Sequence, residues 1–449
     1  MPATYNDAGV TQHLLEQLAD SRQRTDSLFA IVQPDSLYDR PIPERHRIIF
    51  YIGHLEAFDW NLLHDQVLGL KSFHPDFDRL FAFGIDPVGG GLPTDQPSDW
   101  PSITAVQEYV KNIRSSLDGK LHEALDSGSY GRDGFPLTTL LNVAVEHRLM
   151  HAETLAYMLH QLPLDRKVRQ ESLSDISDSP IEHRSIEIPA GSATLGLSRA
   201  SNFFGWDNEF EAHTVDVPAF SIDQYKVTNQ QYLEFIAAGG YENNAFWAAD
   251  DWAWKTGRAI SHPAFWKRDS DRWLYRTMFH DIPLPGVWPV YVSQAEAKAY
   301  ATWAGKSLPT EAEWHRTAYG TPSGSDRKYP WGNEAPSFEF GNFDFERWDP
   351  APVNAYPAGK SAFGVQGMLG NGWEWTSTVF SPFPGFEPFP FYRRYSADFF
   401  DGKHFVMKGG SARTAACMLR PTFRNWFQSH YQFIYTGFRC VSRSIEREL

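Results

Sequence analysis

The sequence predicts a two-domain protein, a four-helix bundle followed by a larger α+β domain. Three observations predict it. The chain has 449 residues, too many for a single hydrophobic core. Residues 7–165 hold four long stretches with helical apolar periodicity. Beyond about residue 185, glycine, proline and tryptophan rise and short strand-like runs alternate with loops.

The first helical stretch, 7–32, takes its apolar stripe from Leu14, Leu15, Leu18 and Leu28. The second, 43–69, takes its stripe from Ile48, Ile49, Ile52, Leu55 and Phe58. A segment rich in Pro, Gly and Asp, 71–101, separates it from the third, 102–126; a loop of that length in a compact domain is usually functional. The fourth, 135–162, is rich in Leu, Ala, Met and Glu, has no internal glycine, and carries its one proline, Pro136, at the start, where proline is tolerated. A polar run around 163–180 reads as a linker. The expected division is therefore a bundle at 7–165, a linker at 166–184 and a second domain at 185–445. In the second domain, helices are expected at 229–238, 293–304 and 311–318, with Asn229 or Thr310 as caps.

Composition narrows the function. A formal charge of −14 argues against nucleic acid and against an anionic membrane surface as partners. The first residues lack the basic and apolar regions of a signal peptide, and no run of apolar residues is long enough to span a bilayer. Two cysteines, Cys417 and Cys440, make no disulfide framework; they are expected to be buried and inert, in a reducing cytoplasm. Aromatic residues make up 15% of the chain, which favours aromatic-lined pockets.

The segment Glu146-His147-Arg148-Leu149-Met150-His151 is the most informative. Histidines four apart on a helix project from one face, a turn apart, and so present two imidazoles to one metal ion. His54, on the second helix, is the candidate third ligand. Three neutral imidazoles with open positions opposite suit a catalytic zinc or iron. Glu153 falls off the histidine face and reads as a supporting residue.

Motifs through the second domain occur in a recognisable order. They include Ile188-Pro189-Ala190-Gly191, Tyr225-Lys226-Val227-Thr228-Asn229 and Leu308-Pro309-Thr310-Glu311-Ala312-Glu313-Trp314. Tyr329-Pro330-Trp331-Gly332, Gly370-Asn371-Gly372-Trp373-Glu374-Trp375, Lys408-Gly409-Gly410-Ser411 and Thr436-Gly437-Phe438-Arg439 follow. This set resembles the formylglycine-generating, or sulfatase-modifying-factor, fold, which is shared with lectin-like domains. Those founding enzymes carry a pair of cysteines near the Gly-Gly-Ser motif, whereas residues 409–426 here contain only Cys417, so formylglycine formation is not expected.

The first domain resembles the DinB-like bundle with its three-histidine metal site. The two together resemble the ergothioneine-type (EgtB-like) sulfoxide synthases, non-haem iron enzymes that use O2 to join a sulfur donor to the imidazole of hercynine, Nα-trimethylhistidine. The resemblance implies Fe(II) held by His54, His147 and His151, and a catalytic Tyr392 within Phe391-Tyr392-Arg393-Arg394-Tyr395-Ser396. It also implies hercynine contacts from Tyr395, Asn425 and Trp426, with Phe427 at the next position of the substrate site. The chemistry suits these roles. A phenol can give a proton or hydrogen atom, an indole wall attracts a trimethylammonium cation, and an amide can hydrogen-bond a carboxylate.

Three departures bear on the donor. The branch using γ-glutamylcysteine has aspartate where this chain has Phe427, and an arginine pair in the bundle loop, where residues 83–101 hold neither Arg nor Lys. A glutamine often found before the last histidine ligand is Met150. Without those charges a dianionic peptide donor lacks its complement. Gly370-Asn371-Gly372-Trp373, Ala397-Asp398-Phe399-Phe400-Asp401-Gly402 and Phe423-Arg424-Asn425-Trp426-Phe427 are most similar to the selenoneine synthase (SenA) branch, which implies a selenosugar donor and a C–Se bond. The alternatives are an ergothioneine-type hercynine sulfoxide synthase using cysteine or another thiol, and a DinB-type zinc thiol-transferase.

Overall fold

The computed structural model describes residues 7–82, 92–170 and 181–443, with side chains from residue 12 onward. The chain divides into two compact units, Met1–Gln170 and Glu171–Leu449.

The four expected helices of the first unit form, with one more between them. They are α1 (Asp7–Phe29), α2 (Ile48–Leu63), α3 (Pro75–Leu80), α4 (Ile103–Asp126) and α5 (Leu137–Gln161). The segment 71–101 is thus not loop throughout. Pro75 at the first helical position and His74, whose Nδ1 accepts from the Phe77 amide, start α3 inside it; residues 83–91 lie outside the described residues. Past them, Asp95 accepts from Arg40, from Arg47 Nε (3.0 Å) and from Trp100 Nε1 (2.8 Å), which fastens this segment to the chain ahead of α2. Ser102 caps α4 by accepting from the Ala105 amide. Helix α1 packs on α5, and α2 on α4 and α5. Past α5, Lys167 bridges to Val32 and the Val168 amide donates to Ile31, so the chain stays with the bundle through these residues.

Helix α2 is buried on nearly every face, including Glu56 and Asp59, rather than presenting one apolar stripe. Arg148 of α5 explains these carboxylates. It is 1% exposed and donates to Glu56 Oε1 (2.9 Å), Asp59 Oδ2 (2.6 Å) and the Leu55 carbonyl (3.0 Å). Arg114 of α4 donates to the same Glu56 oxygen at 2.7 and 2.9 Å, and to Asp26 of α1. Burial alone would raise the Glu56 carboxyl, but the Arg148 and Arg114 guanidiniums outweigh it and hold the group below its usual range.

In the second unit the strands are β1 (Ser185–Ile188), β2 (Gly191–Leu195), β3 (His213–Val217), β4 (Phe220–Asp223), β5 (Trp266–Asp269), β6 (Arg272–Arg276), β7 (Asp281–Pro283), β8 (Trp373–Val379), β9 (His404–Lys408), β10 (Asn425–Gln428), β11 (Thr436–Gly437) and β12 (Val441–Ser442). They form small sheets ordered β1-β4-β12, β2-β3, β5-β6-β7 and β10-β9-β8-β11. The last is antiparallel except for the parallel β8–β11 pair. The helices are α6 (Asn229–Ala237), α7 (Ala249–Gly257), α8 (Gln294–Trp303) and α9 (Glu311–Tyr319). Helix α7 was not expected. Thr310 caps α9 as expected, but α6 is capped by Thr228, because Asn229 is already helical and donates its amide to the Pro285 carbonyl at 2.8 Å. A core of Ile188, Val217, Phe220, Ile222, Trp314, Met368, Leu369 and Val441 joins β1, β3, β4 and β12 to α9.

The Gly370-Asn371-Gly372 run has a physical basis. Asn371 adopts φ 57°, and its side-chain amide exchanges two 2.8 Å bonds with the Ala351 backbone; a Cβ on Gly370 would stand 2.5 Å from the Asn342 carbonyl. Just beyond it, buried Glu374 accepts from Arg439 at 2.6 and 2.8 Å and pairs with Lys226 at 3.2 Å. Cys440 is buried as expected, whereas Cys417 is exposed, since the short turn Ala416–Met418 directs Met418 inward instead.

Removing one member of a fully buried pair leaves an uncompensated charge. Arg148→Ala should therefore destabilise the bundle by about 3–5 kcal/mol. Arg132→Ala, which breaks an exposed pair with Asp65, should cost less than about 1 kcal/mol. Urea denaturation followed by helical circular dichroism checks the contrast, and equal losses would contradict it.

Candidate metal centre and aromatic cluster

His54 on α2 and His147 and His151 on α5 meet inside the bundle, each at most 6% exposed. His151 Nε2 lies 3.2 Å from His54 Nε2 and 3.1 Å from His147 Nε2. An imidazole nitrogen sits about 2.1 Å from a divalent metal, so ligands at right angles are about 3 Å apart and tetrahedral ones about 3.4 Å. Both observed separations suit nitrogens turned toward one ion, nearer the right-angle spacing.

Protonation agrees with that use. Burial lowers the His54 pKa to about 4, and burial followed by the neighbouring imidazoles holds His147 and His151 well below the usual histidine value. All three are neutral at pH 7. His54 Nδ1 lies 2.7 Å from the Phe81 carbonyl, which can only accept, so Nδ1 carries the proton and Nε2 keeps its lone pair. Aromatic rings cover the imidazoles: Phe58 stacks on His147 at 3.4 Å and Phe50 on His54 at 4.8 Å. The described residues thus present a buried, neutral, three-nitrogen donor set that fits a divalent transition metal. Glu153 is buried on α5 and is not part of the cluster.

Two supports of this centre escaped the sequence reading. Phe81, past the end of α3, packs flat on Gly53; a Cβ there would stand 2.5–2.6 Å from its ring. Gly53 directly precedes His54, and that adjacency was the available signal. The other support is Arg148, next to His147, which ties α5 to α2 one turn from His54.

The remaining expected residues lie in the second unit. Tyr392 and Tyr395 sit on consecutive turns, Tyr392 N to Phe389 O and Tyr395 N to Tyr392 O, each 3.1 Å. Their rings are 5.5 Å apart. Trp426 meets Tyr395 edge-on at 5.4 Å and stacks on Phe380 at 4.1 Å. Tyr392, Tyr395 and Trp426 are thus brought together. Strand alternation directs Asn425 and Phe427 to the other face of β10. There Phe427 stacks on Tyr431 at 5.2 Å, while Asn425 Oδ1 accepts from the Trp426 amide. Arg424 anchors the start of β10 through Glu311 at 3.0 and 3.1 Å, its guanidinium against Phe383. The sequence reading missed Trp206, which stacks on Tyr395 at 4.0 Å and lies 6.4 Å from Tyr392.

Residues 17–155 match the DinB superfamily model, and residues 174–444 match the sulfatase-modifying factor enzyme 1-like domain. A hercynine oxygenase of Mycolicibacterium smegmatis is 33% identical, over 95% of this chain and 98% of its own length. Another, from Mycolicibacterium thermoresistibile, is 38% identical over 95% of this chain and 94% of its own. The chain belongs to the hercynine oxygenase family. Ergothioneine biosynthesis protein 1 of Neurospora crassa is also similar, 28% identical over 91% of this chain, which spans 55% of that longer protein. Membership of the hercynine oxygenase family makes this an oxidative, bond-forming enzyme with a DinB bundle ahead of its sulfatase-modifying-factor domain.

Gly53→Ala should displace Phe81, release His54 Nδ1 and weaken metal binding by about 10–100-fold, read by anaerobic metal titration; unchanged affinity would remove Phe81 from the centre. Acid should also loosen the metal-free bundle. The folded histidines titrate below the unfolded value of 6.5, His54 at about 4, so the unfolded chain binds more protons in that window. Stability is full above pH 6.5 and is lost as pH falls toward 4, measurable by denaturation at stepped pH.

Proposed function

We propose that this enzyme is an O2-dependent, non-haem Fe(II) hercynine oxygenase whose chalcogen donor is a selenosugar. The observation that carries the general reading is the buried, neutral trio His54, His147 and His151 in a chain of this family. In the balanced reaction an imidazole C–H bond of hercynine and the Se–H bond of the donor are lost. The C–Se bond and one Se–O bond form, and the second oxygen atom of O2 leaves as water.

Fe(II) held by the three imidazoles would supply O2 reduction when bound. The chain's residues do the rest. Tyr392 Oη supplies a proton during bond formation. Tyr395 and Trp426 offer aromatic faces to the trimethylammonium cation, which has no N–H to donate. Asn425 bonds the substrate carboxylate through its Nδ2 hydrogens, while its Oδ1 accepts from the Trp426 amide. Phe427 lines the donor side without charge.

Neutrality of the donor is supported by Phe427 and by the arginines nearest the bundle loop. Arg40 and Arg47 both donate to Asp95, so their guanidiniums are engaged within the bundle. The names of the fungal relatives favour sulfur as the second reading.

Two measurements test the assignment. Tyr392→Phe should retain iron and hercynine binding while product formed per O2 consumed falls about 100-fold or more; an unchanged yield would remove Tyr392 from the mechanism. With equal concentrations of a 1-selenosugar, cysteine and γ-glutamylcysteine, mass spectrometry should find the selenium adduct of hercynine dominant. A sulfoxide formed mainly from γ-glutamylcysteine would refute the neutral-donor reading.

A further inference from the structure

We propose that Asp207 is a positioning residue that holds Tyr392 and Tyr395 in place by clasping both ends of the turn that carries them. The inference rests on the roles given above to those two tyrosines.

Residues 389–396 form no helix or strand of useful length, so their own backbone does little to fix the tyrosine rings. Two successive turns, Phe389 to Tyr392 and Tyr392 to Tyr395, are hydrogen-bonded along the segment. The clasp comes from far away in sequence. Ser396 Oγ donates to Asp207 Oδ1 at 2.5 Å, and the Phe389 amide donates to the same carboxylate. One side chain thus receives a donor from each end of the tyrosine-bearing turn. Its neighbour Trp206 lies under the turn, stacked 27° from the plane of Tyr395 and edge-on to Tyr392.

Asp207 is itself braced. It is 0% exposed, in a short turn, Asp207–Glu209, closed by the Trp206 amide donating to Glu209 at 2.9 Å. Glu209 is held in turn by Arg420 and by Thr422 Oγ1 (2.5 Å). The clasp therefore connects the tyrosine turn to the chain that leads into β10 and Trp426, so the rings of the cluster share one scaffold. Burial raises the Asp207 pKa to about 6, and its hydrogen bonds, from Ser396 first, only partly oppose that rise. The single oxygen of an amide of the same shape can still accept from both Ser396 and Phe389, without the desolvation of a charge.

The test compares Asp207→Ala and Asp207→Asn in the full-length, iron-reconstituted enzyme. Asp207→Ala should raise the KM for hercynine and lower kcat, together by about tenfold or more, since displacing catalytic groups by about 1 Å costs up to 100-fold. Iron stoichiometry should be unchanged, and Asp207→Asn should recover both constants to within about threefold. Near-ultraviolet circular dichroism should lose the coupled Trp206–Tyr395 signal in Asp207→Ala and regain it in Asp207→Asn. An Asp207→Ala enzyme with native constants and native dichroism would overturn the proposal, as would equal impairment in both variants, which would make the charge rather than the clasp the active feature. Tyr395→Phe, run in parallel, separates the underlying reading. If it leaves hercynine affinity intact, the substrate role of that tyrosine fails, while the dichroism still decides whether Asp207 orders the turn.

Discussion

The ion pair that Arg148 makes with Glu56 and Asp59 is the constraint on which the three-histidine cluster depends. Arg148 follows His147 on α5, and Glu56 and Asp59 follow His54 on α2. A step of one residue turns a helix by about 100°, so Arg148 lies beside the ligand face of α5, not on it. It sets both the rotation and the register of α2 against α5. Apolar packing alone tolerates small slides between helices, since volume-conserving rearrangements cost little. Three imidazole nitrogens brought within 4.8 Å of one another tolerate far less. Two buried carboxylates and a buried guanidinium strongly favour one arrangement, because a slip leaves a buried charge unpaired. Arg114 extends the same logic to α4 and α1, so the helices around the histidines are tied through Glu56.

The second unit solves a similar problem with less regular structure. Its sheets are short, and its tyrosines sit on turns. Side-chain bonds to backbone and to distant acids replace ladder bonds as the source of order. Glu374 with Arg439 and Lys226 fixes the start of β8, Glu311 with Arg424 fixes the start of β10, and Asp207 with Ser396 fixes the tyrosine turn. Each is a buried acid that accepts hydrogen bonds from elements far away in sequence, as an interior rich in loops requires.

These two strategies explain what the sequence made legible. Helical periodicity is local, so the bundle helices and the His147/His151 pair could be read directly, and His54 followed from its place on a facing helix. The motifs of the second unit likewise announced their fold, and the capping of α9 by Thr310 was visible in its own residues. What depended on contacts between distant residues was not visible. Nothing near Glu56 and Asp59 signals that both are buried, because their partner is on another helix. Trp206 and Asp207 lie nearly two hundred residues before the turn they support. Helix α3 hid in a segment whose composition reads as loop, where a single His-Pro step supplies the start, and α6 begins at Asn229 itself, capped by Thr228, while the Asn229 side chain serves Pro285. Cys417 was expected inside, yet a one-turn segment placed Met418 there instead.

Anaerobic titration of Fe(II) into the metal-free full-length protein, beside the His54→Ala/His147→Ala/His151→Ala triple variant, addresses the central claim most directly. The account predicts one tightly bound Fe(II) per wild-type chain, with nitrogen-dominated coordination by X-ray absorption, and no specific iron in the variant. An equivalent of iron retained by the triple variant would contradict it, as would a wild-type protein that binds zinc but holds no Fe(II).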